Sequence, residues 1–323
     1  MTREPILQVE NLSITFTKQR IAYSIVDSLS FQLHKGQTLA IIGESGSGKS
    51  VTAQSILQLL PTPPFSISGS IRFQEKDLLT TPKSKFKQII GTQIAMIFQN
   101  PHGSLNPVFT IEQQFQEIIR THLHLSQEAE KIRILQALNE TGFHNPENCL
   151  KLYPHQLSGG MLQRVCIAMA LLCSPKVLIA DEPTTALDVS VQYQILQLLK
   201  ALQNKTGMSL LIITHNMGVV AETADEVLVM YAGRMAEKAS VTQLFYNPAH
   251  PYTRDLLASR PSFQDLTSTP FVPIPGQPPH YTNIPSGCAY HPRCSRLLSK
   301  CHSQIPKEST VREGHKIKCW LYD

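Results

Sequence analysis

The sequence predicts an α/β fold with a mainly parallel sheet. Three short segments are apolar and rich in β-branched residues, as strands buried on both faces are. They read TLAIIG (residues 38–43), KVLIAD (176–181) and SLLIITH (209–215). Segments with a helical spacing of apolar residues lie between and around them, and this alternation is typical of α/β domains. Hydrophobic residues make up 42% of the chain and charged residues 16%, which is ordinary for a globular protein.

The N-terminal region has a different pattern. LQVENLSITF (residues 7–16) alternates apolar and polar residues, and SLSFQLHKGQ (28–37) does likewise. Such alternation predicts strands with one exposed face. We therefore expect an N-terminal antiparallel β part before the first buried strand.

A block of mostly helical pattern runs from about residue 105 to residue 173. Because it interrupts the series of buried strands, we expect an inserted α-helical subdomain. Further along, residues 191–205 predict another helix, and residues 226–239 predict a hairpin that turns near Gly233.

The chain becomes proline-rich after about residue 260, as in PFVPIPGQPPH (270–280). This composition predicts a loop-rich C-terminal extension. We accordingly expect a main domain at 1–260 and an extension at 261–323. Residues 288–323 contain seven Lys and Arg against three Asp and Glu. A basic patch of this kind could contact nucleic acid or form a solvated surface.

No apolar run in the sequence reaches the length of about 18–20 residues that a membrane helix needs. The N-terminus MTREPILQVE has no apolar signal core. We therefore expect a cytosolic protein whose seven cysteines are reduced.

GESGSGKS at Gly43–Ser50 fits the phosphate-loop pattern G-x-x-x-x-G-K-[ST] between a predicted strand and the helix KSVTAQSILQLL (49–60). Glycines allow backbone N–H groups to surround phosphate oxygens, and the helix N-terminus favours negative charge. Lys49 would reach the β- and γ-phosphates, and Ser50 would bind Mg²⁺. The predicted nucleotide-binding residues are Gly43, Glu44, Ser45, Gly46, Ser47, Gly48, Lys49, Ser50 and Val51.

Two acidic residues follow the buried strand of KVLIADEP. Asp181 stands at the carboxyl end of that strand, where an open α/β sheet binds its ligands. It would bind Mg²⁺ through water, and Glu182 would polarise an attacking water. The alternative is that Glu182 only forms a salt bridge. NKTG at Asn204–Gly207 lacks the Asp of a guanine-binding motif, which favours ATP.

LSGGM at Leu157–Met161 precedes an apolar helix. Ser158 is a good N-cap, and the two glycines permit close backbone approach. By itself the motif is compatible with a simple capped helix or with an anion site at a helix start.

GESGSGKS, MIFQNP, LSGGM, VLIADEP, TTALD and IITHN occur in this order. Together they make residues 5–260 resemble the nucleotide-binding subunit of an ATP-binding cassette (ABC) transporter, a P-loop NTPase cassette. The resemblance implies ATP and Mg²⁺ as ligands and an ATPase activity. It implies that an early aromatic residue stacks on adenine, and Phe16 is the first candidate, with Tyr23 as the competitor.

The resemblance also assigns roles in catalysis. Gln99 would bind Mg²⁺ and link the γ-phosphate site to the helical subdomain and the membrane partner. His215 would contact the γ-phosphate, and with Glu182 these residues form the implied catalytic set. A lone histidine after an apolar strand could equally be structural, and Gln99 could be a turn residue.

A composite site follows from the family pattern. Ser158, Gly159 and Gly160 match the signature that binds the ATP of the opposite protomer. Asp188, after Ala186 and Leu187, matches the loop that crosses the dimer seam, although it could also cap the next helix. Met161 stands where the family usually has Gln. Oligopeptide-type members of the family resemble this sequence at that position.

The C-terminal region resembles one subfamily. NPAHPYTRDLL (247–257) followed by GCAYHPRC (287–294) is similar to the extension of ATPases that serve importers of dipeptides and oligopeptides, whose relatives import nickel or other small solutes. This implies a related second ATPase as the dimer partner, two integral membrane permeases, an indirect contact with an extracytoplasmic solute-binding protein, and a location on the cytoplasmic face of the membrane. A homodimer is the alternative.

Four cysteines, Cys288, Cys294, Cys301 and Cys319, lie in this extension. A small irregular segment needs a stabilising link, and in a reducing compartment a metal centre is favoured over disulfides. No pair has the C-x₂₋₄-C spacing of structural zinc sites, and a 4Fe-4S cluster, which some resembling subfamily members carry, takes four thiolates at looser spacing. We expect a 4Fe-4S cluster, with Zn²⁺ and free thiols as alternatives. The basic residues nearby would offset its negative charge.

Two other classes of cassette protein fit less well. DNA-repair ATPases insert long coiled coils or zinc modules between the phosphate loop and the signature, and this chain has no sustained heptad there. Translation-associated members carry two cassettes, and this chain has one motif set. We therefore expect no nucleic-acid partner.

Overall fold

A computed structural model describes residues 4–185, 187–259 and 273–323. These residues form two compact units. The first unit comprises Thr80–Ile213 with Leu33–Gln37 and the stretch that ends at Ile6. The second comprises Leu7–Gln32, Thr38–Leu79 and the described part of Thr214–Asp323.

The strands follow the chain in this order: β1 (Pro5–Lys18), β2 (Ile21–His34), β3 (Thr38–Ile42), β4 (Phe65–Phe73), β5 (Lys76–Asp77), β6 (Ile94–Ile97), β7 (Val177–Asp181), β8 (Ser209–Ile213), β9 (Glu226–Tyr231), β10 (Arg234–Ser240), β11 (Ser309–Arg312) and β12 (His315–Ile317). All residues of β3, β7 and β8 are buried, as their apolar sequences predict.

The α-helices are α1 (Lys49–Ile56), α2 (Lys83–Lys87), α3 (Pro101–Ser104), α4 (Ile111–His122), α5 (Gln127–Glu140), α6 (Pro146–Leu150), α7 (Gly159–Leu171), α8 (Val189–Thr206), α9 (Met217–Thr223), α10 (Val241–Tyr246) and α11 (Pro251–Ala258). Short 3₁₀ helices lie at Pro154–Gln156, His291–Arg293, Ser299–His302 and Trp320–Tyr322.

The first unit contains the parallel strands β6, β7 and β8, in that spatial order. Its helical part surrounds an apolar core that includes Phe115, Leu138 and Leu162 from α4, α5 and α7. Side-chain caps fix where these helices begin: Thr110 caps α4 in a capping box, and Ser126 caps α5. The region expected to be helical, at about 105–173, contains the helices α4 to α7.

The second unit contains two sheets. In one, β3 pairs in parallel with β9, and β9, β10, β12 and β11 continue in antiparallel order. In the other, β1 lies between β2 and β4, and β5 pairs with β4. The hairpin predicted near Gly233 is the β9–β10 pair, and the predicted N-terminal antiparallel part is the second sheet.

The C-terminal extension is more ordered in its described part than its loop-rich sequence predicts. Strand β12 pairs with β10, and both His315 and Ile317 on β12 are buried. His315 Nε2 lies 2.7 Å from a carboxylate oxygen of Glu237 on β10. This buried polar pair anchors the end of the extension to the sheet that carries β3.

Among the described residues, no helix is both long enough and apolar enough to cross a membrane.

Candidate functional site

The predicted phosphate loop connects β3 to α1 in the second unit. Gly43 follows β3 with φ +150°, and a Cβ at this position would lie 2.2 Å from the carbonyl oxygen of Met230. Gly48 is the N-cap of α1 with φ +95°, and a Cβ there would lie 3.1 Å from the carbonyl oxygen of Ile25. The pattern requires glycine at both positions because the loop passes so close to the neighbouring backbone.

Lys49 is 6% exposed and bonds to its own loop. Its Nζ donates to the carbonyl oxygens of Gly43 and Glu44, at 2.9 Å each, and to Ser47 Oγ at 3.3 Å. The lysine and the loop therefore form one hydrogen-bonded unit.

The remaining loop residues divide between the tip and the helix. Ser45 and Gly46 are exposed at the tip, and Ser50 and Val51 are half-buried in the first turn of α1. This places backbone N–H groups of a helix start next to an exposed glycine-rich turn, which is the arrangement that binds phosphate.

Glu44 in this loop is held by contacts from distant parts of the sequence. Its backbone N–H donates to the hydroxyl of Tyr252 at 2.9 Å. Its carboxylate accepts two hydrogen bonds from Arg293, from Nη1 at 2.6 Å and from Nη2 at 3.0 Å. The guanidinium group and the carboxylate thus form a bidentate ion pair.

In the first unit, the two predicted acidic residues follow β7. Asp181 is 3% exposed. Glu182 has φ +48°, and its N–H donates to the carbonyl oxygen of Ile213 at 2.8 Å. Its Oε2 accepts hydrogen bonds from Gln99 Nε2 at 2.7 Å and from Thr185 Oγ1 at 2.8 Å. The structure therefore brings together two residues of the predicted catalytic set, Gln99 and Glu182.

The LSGG segment begins α7, also in the first unit. Ser158 Oγ accepts a hydrogen bond from the N–H of Met161 at 3.3 Å, so the predicted cap is present. A Cβ at Gly160 would lie 2.9 Å from Val191 Cγ1, and one at Gly159 would lie 3.4 Å from Leu187 Cδ2. The glycines allow α7 to begin close to the start of α8.

Asp188 and His215 are the remaining residues of the predicted nucleotide site. Asp188 occupies the N-cap position of α8 but makes no side-chain capping hydrogen bond. The interpretation of Asp188 as a helix cap is therefore not supported. His215 follows β8 and is exposed. Ala186 lies outside the described residues.

The two candidates for adenine stacking lie around one tyrosine in the second unit. The ring of Tyr281 contacts Phe16 edge-on at a centroid distance of 6.2 Å and Tyr23 at 5.7 Å. Phe16 also packs on Phe65 at 4.9 Å. Phe16 and Tyr23 therefore belong to one half-buried aromatic group to which the C-terminal extension contributes.

Comparison with known proteins agrees with these motifs. Residues 26–185 match the family model described as ABC transporter, and residues 236–301 match the one described as oligopeptide/dipeptide transporter, C-terminal region. The dipeptide transport ATP-binding protein DppD of Bacillus subtilis is 46% identical to this chain over 99% of the chain and 96% of its own length. This chain belongs to the ATP-binding proteins of ABC transporters. OppD of the same bacterium, named an oligopeptide transport ATP-binding protein, is 45% identical over 98% of this chain and 88% of its own length.

Solved ABC cassettes have the same fold as this ABC protein. The dimeric structure of MJ0796, a bacterial ABC transporter cassette, is 25% identical and superposes with a TM-score of 0.65 over 73% of this chain and 98% of that one. CbiO1 from Clostridium perfringens, part of the ABC transporter complex cbiONQ, is 28% identical with a TM-score of 0.63 over 76% and 92% of the two chains. These likenesses confirm the predicted fold class.

The predicted iron–sulfur cluster is wrong for this ABC protein. Among the described residues, which include all four C-terminal cysteines, no group of three or more His, Cys, Asp or Glu side chains could hold a metal ion. The zinc alternative fails on the same observation.

The environment of the four cysteines gives the physical reason. Cys301 and Cys319 are buried, while Cys288 and Cys294 pack half-buried against the apolar core of the second unit. Burial raises the pKa of the Cys288 thiol to about 11 and also raises the pKa of Cys294 and Cys319. Because a metal ligand must be a thiolate, burial disfavours the form of Cys288, Cys294 and Cys319 that would bind a metal.

The basic residues around these cysteines therefore do not serve to offset a cluster. Lys300 pairs with Asp323 at 2.9 Å, Lys316 pairs with Glu308 at 2.7 Å, and Arg293 pairs with the phosphate loop. Arg293 and Tyr252 are the site contacts that sequence reasoning missed. Arg293 is 249 residues away from Glu44 in the chain, so no local pattern links them.

Proposed function

We propose that this chain is the ATP-hydrolysing subunit that energises the import of dipeptides or oligopeptides across the cytoplasmic membrane. The observation that carries the proposal is that two parts of the chain each match a transporter family model. The cassette part matches the ABC transporter model, and residues 236–301 match the C-terminal region of oligopeptide/dipeptide transporters. Relatives named for dipeptide and oligopeptide transport align over nearly the whole chain.

The proposed domains follow the sequence prediction. Residues 1–260 form the cassette, with a helical subdomain at about 105–173, and residues 261–323 form the extension. In the cassette, the loop Gly43–Ser50 with Val51 binds the phosphates of ATP, and Lys49 neutralises the β- and γ-phosphates. The close backbone approaches at Gly43 and Gly48 support this role because they hold the loop in the required shape.

Mg²⁺ is the metal that this chemistry requires. The proposed ligands are Ser50, Gln99 and Asp181, the last through water, and their hydroxyl, amide and carboxylate oxygens are the ligands that Mg²⁺ prefers. Gln99 fits because its amide nitrogen donates a hydrogen bond to Glu182. The amide oxygen of Gln99 is then the atom that would bind the metal. When bound, the ion would neutralise charge on the phosphate oxygens.

Glu182 is the proposed general base. Its Oε2 is fixed by two donors, Gln99 and Thr185, so the carboxylate has a defined orientation before substrate binds. A carboxylate held in this way can orient a water molecule and accept its proton during attack on the γ-phosphate. His215 would donate to the γ-phosphate, and Phe16 would stack on adenine.

The remaining proposed contacts reach the opposite protomer. Ser158, Gly159 and Gly160 would bind the γ-phosphate of the ATP that the other subunit holds, and Asp188 would lie at the seam. The capped start of α7 supports this role, since a helix N-terminus favours an anion. The proposed partner is a related second ATPase, with two integral membrane permeases and, indirectly, a solute-binding protein, at the cytoplasmic face of the membrane.

The test uses the chain assembled with its permeases in proteoliposomes. Glu182→Gln keeps the shape of the side chain but removes the proton acceptor. We expect ATP binding close to that of the wild type, hydrolysis reduced by about 10²–10⁴-fold, and loss of ATP-driven uptake of labelled dipeptide.

Glu75→Gln is the matched control because Glu75 is an exposed glutamate in the turn between β4 and β5. It should leave hydrolysis and uptake unchanged. Near-normal hydrolysis by Glu182→Gln would contradict the role of Glu182 as base. Wild-type uptake of nickel without uptake of peptides would contradict the proposed substrate class.

A further inference from the structure

Three groups of Glu44, its N–H, its carbonyl oxygen and its carboxylate, form hydrogen bonds with other residues. Its N–H bonds to Tyr252 on α11, its carbonyl oxygen accepts from Lys49, and its carboxylate accepts twice from Arg293. The phosphate-binding lysine and the arginine of the C-terminal extension therefore share one intermediate residue. A change at Arg293 can reach Lys49 through a single residue of the phosphate loop.

Arg293 is itself rigidly placed. Its side chain is 5% exposed, and its Nε donates to the carbonyl oxygen of Pro275 at 2.8 Å. Its Nη1 also donates to the hydroxyl of Tyr231 at 3.3 Å, and the guanidinium group lies 5.8 Å from the ring centroid of Tyr290. Every contact confines the planar group to one orientation, which is the orientation that meets the Glu44 carboxylate.

The tyrosines around Arg293 form a packed group next to the loop. The ring of Tyr231 lies 4.6 Å from that of Tyr252 and 5.1 Å from that of Tyr290. Tyr231 directly follows Met230, whose carbonyl oxygen is the atom that excludes a side chain at Gly43. Arg293 and the tyrosines thus fix the loop at its beginning, at Gly43 and Glu44.

The charge of Glu44 gives this arrangement a consequence for ligand binding. A carboxylate in a phosphate loop repels a polyphosphate, and the repulsion is strong where the surroundings are partly buried. The side chain of Glu44 is 22% exposed, so water screens it only in part. Arginine stays protonated at all relevant pH values, so the pair with Arg293 cancels the charge permanently.

We propose that Arg293 is a positioning residue of the nucleotide site, which holds Glu44, neutralises its charge and thereby sets the affinity of the phosphate loop for ATP. The C-terminal extension is then a functional part of the ATP site. The inference rests on ATP binding by the loop and does not depend on which solute is imported.

The experiment measures ATP affinity of the full-length protein by titration calorimetry, with KM and kcat for hydrolysis. Arg293→Met leaves the Glu44 carboxylate unpaired beside the loop, and we expect the dissociation constant and KM for ATP to rise about tenfold with a smaller change in kcat. Adding Glu44→Gln removes the repelling charge, so the double variant should bind ATP several-fold more tightly than Arg293→Met. Glu44→Gln by itself is the reference for the double variant, and the two should bind ATP within about twofold of each other.

Two further variants test whether the effect is specific to the ion pair between Arg293 and Glu44. Arg312→Met removes an exposed arginine of the same extension and should leave ATP affinity unchanged. Arg293→Lys keeps the charge but loses the bidentate geometry, so its affinity should lie between those of the wild type and Arg293→Met. If Arg293→Met does not fold, Arg293→Lys and the double variant still carry the test.

A purely structural role predicts different results. In that case the double variant would bind ATP as weakly as Arg293→Met, and both would have lower unfolding temperatures than the wild type. That outcome, or wild-type ATP affinity in folded Arg293→Met, would overturn the proposal. Absence of peptide uptake by the wild-type protein, together with the predicted ATP affinities, would instead count against the proposed transport function.

Discussion

At the scale of single residues, two of the three loop glycines, Gly43 and Gly46, have different surroundings. A Cβ at Gly43 would lie 2.2 Å from the carbonyl oxygen of Met230, which is backbone and cannot rotate away. Among the described residues, no atom would lie within 4 Å of a Cβ at Gly46, although the φ of +79° at this glycine is also unfavourable for other residues. Replacing each glycine by alanine therefore separates the cost of the backbone conformation, present at both positions, from the cost of a steric clash, present only at Gly43.

We predict that Gly43→Ala lowers the free energy of unfolding by about 2–6 kcal/mol, since a strained backbone conformation and an overpacked contact each cost about 1–3 kcal/mol. Gly46→Ala should cost only about 1–2 kcal/mol, the conformational part. Urea denaturation of both variants measures the difference. Equal destabilisation would show that the contact with Met230 does not constrain the loop.

Local rules of sequence select candidate residues for this site. Gly43, Lys49, Asp181 and Glu182 were predicted as candidates because glycine spacing and the ends of apolar strands are local signals. The contact between Glu44 and Arg293 was not, because it joins residues far apart in the chain. The cysteines show the converse error, since their spacing is compatible with a cluster while their burial favours protonated thiols.

At the scale of elements, α11 begins with an unusual cap. His250 is its N-cap, and the Nδ1 atom accepts a hydrogen bond from the N–H of Tyr252 at 3.0 Å. This bond requires an unprotonated Nδ1. Burial lowers the pKa of His250 to about 4, an effect that the nearby Glu237 carboxylate and a backbone hydrogen bond to Lys318 only partly oppose. The helix that carries Tyr252 to the phosphate loop thus begins at a neutral histidine.

The pH dependence of stability follows from this lowered pKa. An unfolded histidine binds a proton below about pH 6.5, whereas folded His250 binds one only near pH 4. The unfolded state therefore holds more protons between pH 6.5 and pH 4. The contribution of His250 to stability is complete above pH 6.5 and is lost as the pH falls toward 4. We predict a loss of about 2 kcal/mol between pH 6.5 and pH 5 from His250.

The variant His250→Asn tests this prediction because asparagine is a good N-cap that does not titrate. Its free energy of unfolding should fall by about 2 kcal/mol less than that of the wild type over the same pH interval, as measured by urea denaturation. Glu237 and His315 face the same region and are present in both proteins, so the difference between the proteins isolates His250. The same substitution at exposed His144 serves as the control. An equal loss of stability in His250→Asn and the wild type would contradict the prediction.

Elements differed in how far the sequence predicted them. Strands β3, β7 and β8 were predictable because burial on both faces makes their sequences continuously apolar. Strand β4 (FSISGSIRF) contains a glycine and exposed serines, and its pairing with β1 depends on residues far away in the chain. Strand β12 has only three residues and forms by pairing with the edge of β10. No local sequence pattern predicts this pairing.

At the scale of the whole molecule, the proposed transport cycle depends on ATP that two subunits bind together. A ligand shifts an equilibrium only by its difference in affinity for the two states. Changing a closed fraction from about 1% to 99% requires about 5.5 kcal/mol. Several charge-assisted hydrogen bonds of about 1.5–3 kcal/mol each, made only in the closed dimer, would be sufficient. The LSGG helix start is the part of this chain that would supply them.

Ser158→Asp tests this arrangement without removing the helix cap. Aspartate caps a helix as well as serine does, so α7 should begin at the same place. Its negative charge would repel a γ-phosphate that approaches the helix start. In the dimer with the second ATPase, we predict that labelling by a photoreactive ATP analogue falls about tenfold on the partner subunit and stays unchanged on this chain.

Lys49→Met is the complementary variant because it removes the cation from this chain's own phosphate loop. It should abolish labelling of this chain and spare the partner, the opposite of the pattern for Ser158→Asp. The two patterns together distinguish a shared site from two independent ones, because only a shared site makes a change in one subunit appear on the other. If Ser158→Asp reduces labelling of this chain and not of its partner, the LSGG segment acts within its own subunit, and ATP cannot close the dimer in the way proposed.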